Sequence, residues 1–253
     1  MMNRREFMSL VSAGVAANVL AGNAAASTVR NPTSRAVVFD AFSIFDPRPV
    51  FARVEELFPG KGSELSNAWR TRQFEYQWLR ALTGHYADFR RATEDALIFS
   101  AKLLKLDLTT EKRERLMQAY MELRTWPDVP AALDALKSQG LSLAFLSNIS
   151  PKMLSANIKH AKLEGVFDRV LSTDQVRTYK PDPRAYQLAI DALRIKREEI
   201  VFVPSSGWDA AGAKWFGYRT FWVNHLGLPP EELGTSVDAT GNTLADLAGF
   251  VGT

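Results

Sequence analysis

The sequence predicts an α/β protein with a doubly wound, mostly parallel core sheet and an inserted helical cap domain. Three observations lead there. Short apolar runs at 36–39, 141–146, 168–171, 200–204 and 219–223 read as strands. From residue 130 onward helical segments separate them, and βα alternation implies a parallel sheet. The stretch from about Val50 to Leu123 breaks that alternation, with apolar residues at helical spacing and no convincing strand.

Taken in order, residues 1–26 read as an address rather than as part of the fold. Arg4 and Arg5 precede a moderately apolar run, Met8 to Leu20, and Ala24-Ala25-Ala26 offers a small-residue cleavage pattern. The run is too short to span a bilayer. It looks like a twin-arginine export signal, which predicts a periplasmic protein cleaved near Ala26 with no membrane attachment afterwards. A disordered cytosolic extension with a chance Arg-Arg is the alternative.

Asn31-Pro32-Thr33-Ser34 is a linker before the first strand, 36–39. The expected core is 27–48 together with 125–253, and the expected cap is 49–124. Within the cap, the run from Leu65 through Trp69 to Trp78 is helical, and Thr109-Thr110-Glu111 reads as a helix start. A helix over 130–138 ends at Gly140. Ser150-Pro151 opens the next with Pro at its first position, and further helices are expected near 183–193 and 208–216. The tail after Pro229-Pro230 has few apolar residues and carries little signal.

Composition narrows the function classes. The 253 residues are 46% hydrophobic and 23% charged, with a net charge of +3 and no block of five or six basic residues. Nucleic acid is therefore not an expected partner. The absence of cysteine excludes disulfides, thiolate catalysis and thiolate-bound zinc. His85, His160 and His225 fit no metal-binding spacing.

Four polar groups follow apolar runs or sit in loops beside them. Asp40 ends the first strand, Ser147 and Asn148 end the strand at 141–146, Lys180 lies in Thr-Tyr-Lys-Pro-Asp-Pro, and Asp209 follows Ser205-Ser206-Gly207-Trp208. The carboxyl ends of parallel strands converge on one edge of the sheet, so these groups can meet there. An acid held by a lysine suits a carboxylate nucleophile, kept ionised by the ammonium. Each residue also has a plain structural role open to it. Asp40 can accept in a turn, Asp209 can begin a helix, and Ser147 and Asn148 can cap one. Ser150 is the better capping candidate, which leaves Ser147 and Asn148 near a helix N-terminus suited to an anion.

These segments resemble the four motifs of the haloacid dehalogenase superfamily, and in particular its L-2-haloacid dehalogenases. The likeness runs from Ala36 to about Asn224 and includes the cap, where Trp69-Arg70-Thr71-Arg72-Gln73-Phe74 and Tyr76-Gln77-Trp78-Leu79-Arg80 look like that family's cap helix. The resemblance implies a Rossmann-like core and hydrolysis of short-chain (S)-2-haloacids to (R)-2-hydroxyacids through an ester on Asp40. It gives Lys180 the role of holding Asp40, Asp209 that of activating water, Arg70 that of drawing off halide, and Ser147 and Asn148 that of binding the substrate carboxylate or halide. Phe42, Phe74 and Trp208 would line an apolar pocket with Thr71, Ser205 and Ser206, and Tyr186 would support Lys180. A homodimer seated on Trp69, Trp78 and Leu82 is also implied, against the alternative that these residues pack within one chain.

Phosphatases of the superfamily carry a second acid two residues after the nucleophile, where this chain has Phe42. Without it a phosphate leaving group loses its proton donor, and Asp209 alone offers too few hard oxygens for Mg²⁺. No metal and no cofactor are expected. Four positions depart from the family pattern. Ser43 replaces a glycine, Ile44 a threonine beside the nucleophile, Pro204 a serine, and Ser206 an asparagine that positions water. Two other readings stay open on that account: a hydrolase or phosphatase of another small acid, and a silent ligand-binding homologue.

Overall fold

A computed structural model describes residues 34–252, and the expected export signal at 1–26 lies outside the described residues. The first strand, β1 (Ala36–Phe39), is buried along its whole length and ends at Asp40, which begins the single turn α1 (Ala41–Ile44). Such an unbroken apolar run marks a strand covered on both faces. Val37 and Phe39 face one core cluster and Ala36 and Val38 the other, as the two-residue period requires.

The chain then leaves the sheet through β2 (Phe45–Asp46), passes through α2 (Arg48–Leu57), α3 (Gly62–Leu82), α4 (Phe89–Leu103) and α5 (Thr110–Ala119), and returns by β3 (Arg124–Thr125). β2 and β3 pair antiparallel, so the helical insertion stands on a two-stranded stem. α3 buries Leu65, Trp69, Gln73 and Gln77, which recur every fourth residue along one face. α5 opens where Thr109 accepts a hydrogen bond from the Lys112 N–H at 3.2 Å, the helix start expected from the sequence.

Alternation follows: α6 (Val129–Ser138), β4 (Ser142–Ser147), α7 (Pro151–His160), β5 (Arg169–Ser172), α8 (Pro183–Leu193), β6 (Ile200–Val203), α9 (Gly207–Phe216) and β7 (Arg219–Val223), closed by β8 (Ala239–Gly241) and α10 (Leu247–Val251). The six-stranded sheet runs β5-β4-β1-β6-β7-β8, parallel throughout. Strands after β1 are laid down first on one side of it and then on the other. The crevice this creates opens at the carboxyl ends of β1 and β6, where ligands bind in doubly wound sheets.

Two details differ from the sequence reading. Ser150 takes the N-cap position of α7 without a side-chain capping bond, whereas the Ser147 hydroxyl accepts from the Ile149 N–H at 3.0 Å. The tail adds β8 and α10, which three residues of edge strand, Ala-Thr-Gly, gave no periodicity to reveal.

Candidate active site

The site is built around a buried triad of charges. Lys180 Nζ donates to Asp40 Oδ1 at 2.8 Å and to Asp209 Oδ2 at 2.6 Å. Lys180 and Asp209 are each 1% exposed, while Asp40 keeps 7%. Asp40 is therefore the least buried of the three. It sits there because its side chain caps α1, with Oδ2 accepting from the Phe42 N–H at 3.0 Å, and because its own N–H donates to the Val203 carbonyl. Ser205 donates to the same Oδ2 at 3.4 Å. The capping and nucleophilic roles weighed for Asp40 are thus compatible in one geometry.

The lysine is held by its backbone as well as by its charge. Its N–H donates to Asn148 Oδ1 at 2.9 Å, and its carbonyl accepts from Trp78 Nε1 of α3 at 3.2 Å. Asn148 also meets Thr173 and Gln77, the latter at 3.4 Å. Tyr86 donates to Asp174, and Tyr179 donates to the Ala87 carbonyl. The helical insertion is in this way bolted to the lysine loop. Phe74 and Trp78 of α3 pack edge-on against Trp208 of α9, at 5.4 and 5.6 Å between ring centres, and extend that seam.

Burial and charge set the protonation states. Burial opposes the charge on Lys180, but Asp209 and Asp40 outweigh it and hold the ammonium above its ordinary range. Burial pushes the Asp209 carboxyl up to about 6; the Asp40 charge adds to this and Lys180 works against it. Tyr186 donates to Asp209 Oδ1 at 2.7 Å, and burial followed by the Asp209 charge keeps its phenol a neutral donor. α9 comes this close to Tyr186 because residue 212 is glycine: a Cβ there would lie 2.6 Å from the phenol oxygen.

A raised carboxyl pKa means that Asp209 stabilises the fold fully below the ordinary carboxylate range and loses that contribution as pH rises through about 6. The ionised form that braces Lys180 exists above that value. Activity is therefore expected to fall on the acid side with a midpoint near 6, read from kcat/KM against pH. Tyr186→Phe removes a hydrogen bond that lowers the Asp209 pKa, so it should move that midpoint to higher pH. An unmoved midpoint would remove Asp209 from the titration.

Next to Asp40, Phe42 and Ser205 open onto a cavity of about 630 Å³. Arg70, Thr71 and Phe74 of α3, with Ser206 at the N-cap of α9 and Trp208 in its first turn, line it too. Arg70 is exposed and, among the described residues, pairs with no carboxylate, unlike its neighbours Arg72 and Arg80. Ser147, Asn148 and Tyr186 are not among the lining residues; they brace the Ile149 amide, the Lys180 backbone and Asp209 respectively. Of the three residues considered for a dimer seat, Trp69 is buried and donates to the Thr93 carbonyl, and Trp78 is taken up by Lys180.

The four departures from the family pattern fall around Asp40. Ser43 donates to the Val203 carbonyl at 2.6 Å, so its hydroxyl joins the carboxyl end of β6 to α1. Ile44 is fully buried in the core, and Ser206 faces the cavity. Sequence reasoning missed Trp126 and His225 as cavity residues. Trp126 donates to the Phe42 carbonyl at 3.0 Å and stacks on His225 at 4.1 Å, and His225 Nε2 lies 3.2 Å from Asp128. Trp126-Pro127-Asp128 reads as a boundary, and nothing in its spacing ties it to residue 225. Among the described residues no cluster of three or more His, Cys, Asp or Glu is arranged to hold a metal ion, and no helix is long and apolar enough to cross a membrane.

Comparisons with known proteins agree on one lineage. The chain is 46% identical over 205 residues to an (S)-2-haloacid dehalogenase of Pseudomonas sp. strain YL, spanning 81% of this chain and 88% of the relative. It is 41% identical over 206 residues to haloacetate dehalogenase H-2 of Moraxella sp. strain B, spanning 81% and 92%. Among solved structures, the L-2-haloacid dehalogenase of Xanthobacter autotrophicus with chloropropionic acid covalently bound superposes with a TM-score of 0.80 at 34% identity, covering 86% of this chain and 98% of that one. The haloacid dehalogenase-like hydrolase family model matches residues 10–217. With this fold and this sequence identity, the chain belongs to the haloacid dehalogenase-like hydrolase family, on the branch of the L-2-haloacid dehalogenases.

Proposed function

We propose that the protein hydrolyses short-chain (S)-2-haloacids to (R)-2-hydroxyacids and halide, with Asp40 as nucleophile. The observation that carries this reading is the Asp40 carboxylate, held by Lys180 and touched by Phe42 and Ser205 of a cavity that Arg70, paired with no carboxylate among the described residues, also lines. An Asp40 oxygen attacks C2 from the side opposite the halogen, and the carbon–halogen bond breaks with its electron pair leaving on the halide. The ester that forms has inverted configuration. Arg70 meets the growing negative charge, which a largely apolar cavity leaves poorly screened.

Water then attacks the Asp40 carbonyl carbon. Its proton passes to Asp209, the other carboxylate joined to Lys180, and the departing 2-hydroxyacid oxygen takes a proton as the Asp40 carboxylate re-forms. Ser205 and Ser206 face the space in which that water is held. The relatives' names support the substrate class. Halide release from (S)-2-chloropropionate by the full chain, without added metal, tests it. No release from folded protein would overturn the reading and favour the silent binder.

Two features of biology belong to the same proposal. The protein is exported folded through the twin-arginine route, supported by Arg4 and Arg5 ahead of the apolar run; replacing both with lysine should retain it in the cytoplasm. Two copies pair along α3, supported by Leu79 and Leu82, which stay 55% and 84% exposed on that helix. Light scattering should then give twice the chain mass, and a monomer with both leucines replaced by glutamate.

A further inference from the structure

The turn that follows Asp40 is too short to hold its own shape. α1 has four residues and closes one internal hydrogen bond, from the Phe45 N–H to the Ala41 carbonyl. A single turn fixes several dihedral angles for that one bond, so alone it is unstable. The last carbonyls of a helix also lack partners inside it. Here those of Phe42 and Ile44 meet the same residue. Trp126 donates its indole N–H to the Phe42 carbonyl at 3.0 Å and its main-chain N–H to the Ile44 carbonyl at 3.1 Å.

The bond to Phe42 reaches the reacting group. That carbonyl shares a peptide with the Ser43 N–H, which donates to the Asp40 carbonyl at 3.1 Å. The Phe42–Ser43 peptide is thus gripped at both ends, by Trp126 and by the Asp40 main chain, and bonds in series of this kind strengthen one another. One peptide earlier, the Phe42 N–H donates to Asp40 Oδ2 at 3.0 Å. A rotation of the Phe42–Ser43 plane would release the Asp40 backbone and disturb the amide that aims its carboxylate. Trp126 is itself held. It follows β3, where Thr125 pairs with Phe45. Its buried ring stacks on His225 at 4.1 Å, and the Arg48 guanidinium lies 4.5 Å from the ring centre. Asp128 meets His225 and Asp46 binds Arg48, so a carboxylate ties each neighbour of the ring.

Resting on the reading of Asp40 as nucleophile, we propose that Trp126 is a positioning residue for the displacement step: its indole N–H locks the Phe42–Ser43 peptide and thereby the direction of the Asp40 carboxylate. Small misplacements of a reacting group are costly to rate. Replacing Trp126 by 3-benzothienylalanine tests this in the full chain, because sulfur then stands where the N–H was and the ring keeps its size. With (S)-2-chloropropionate, kcat should fall about three- to tenfold, the worth of one neutral hydrogen bond. The inhibition constant for (R)-lactate should stay within about twofold, since the cavity wall keeps its shape. Trp126→Phe should lower kcat at least as far. Exchange of single amides, followed by NMR, reads the clamp without the chemistry. The Phe42 and Ser43 N–H groups should exchange about three- to tenfold faster in the isostere, with Val37 and Val38 of β1 unchanged. A kcat within about twofold of wild type, or faster exchange shared equally by β1, overturns the proposal and leaves Trp126 a packing residue. Should the wild type release no halide, the dehalogenase reading falls, and the exchange rates alone decide whether Trp126 holds the turn.

Discussion

Asp40→Asn is expected to lower halide release from (S)-2-chloropropionate by about 10⁴-fold or more, since an amide oxygen cannot form the ester on which the route depends. The protein should stay folded. Asp40 and Asp209 share one ammonium, and removing one carboxylate leaves a single buried ion pair of matched charge. The melting temperature should therefore hold or rise, the usual exchange of activity for stability at a functional site. A single turnover in ¹⁸O-water adds a positive test in the wild type. Because water attacks the Asp40 carbonyl, the label should enter Asp40 first and be missing from the first hydroxyacid formed. Variant activity above about a tenth of wild type, or label in that first product, would show that water attacks C2 directly.

Lys180→Met should have the opposite effect on stability. It leaves two carboxylates buried side by side without their cation, and breaking a buried ion pair from one side costs about 3–5 kcal/mol. For a chain of this size that corresponds to a fall of roughly 6–20 °C in Tm at neutral pH. The loss should depend on pH in a defined direction. Burial already raises the Asp209 carboxyl and Lys180 works against that rise, so without the ammonium stability is regained as Asp209 protonates on the acid side and lost again as pH rises. Melting curves from about pH 4 to pH 8 measure this, and a deficit that stays constant across the range would mean that lost packing, not charge, is responsible. Activity should vanish at every pH, because Asp40 loses the group that holds it in place.

Much of this site is legible in the sequence because its parts follow apolar strands in order. Asp40 after Ala36–Phe39 could only lie at a carboxyl edge, and the loop Tyr179-Lys180-Pro181-Asp182 restricts where a long side chain can point. The structure brings Asp40, Lys180 and Asp209 together as those positions suggest. Roles within the edge were harder to assign. Ser147 and Asn148 occupy the same edge, but their polar atoms turn to the backbone of Ile149 and Lys180, and Tyr186 turns to Asp209. Which of several neighbouring polar groups is left to face the cavity depends on rotamers and, for Asn148 and Tyr186, on partners more than twenty residues away. Local pattern carries neither.

The sequence by itself determined the order of the core strands β1 and β4 to β7 with the helices between them, the insertion after β1, and the chemical inventory of the site, because apolar periodicity and strand-end position are local properties. Only the tertiary structure decided which acid is the less buried, how α3 grips the Lys180 carbonyl, and which residues line the cavity with Arg70. Trp78 meets Lys180 across 102 residues, and Trp126 stacks on His225 across 99 more residues of chain. Contacts of that span are set by how the insertion and the sheet settle on one another, and that depends on packing summed over the whole chain.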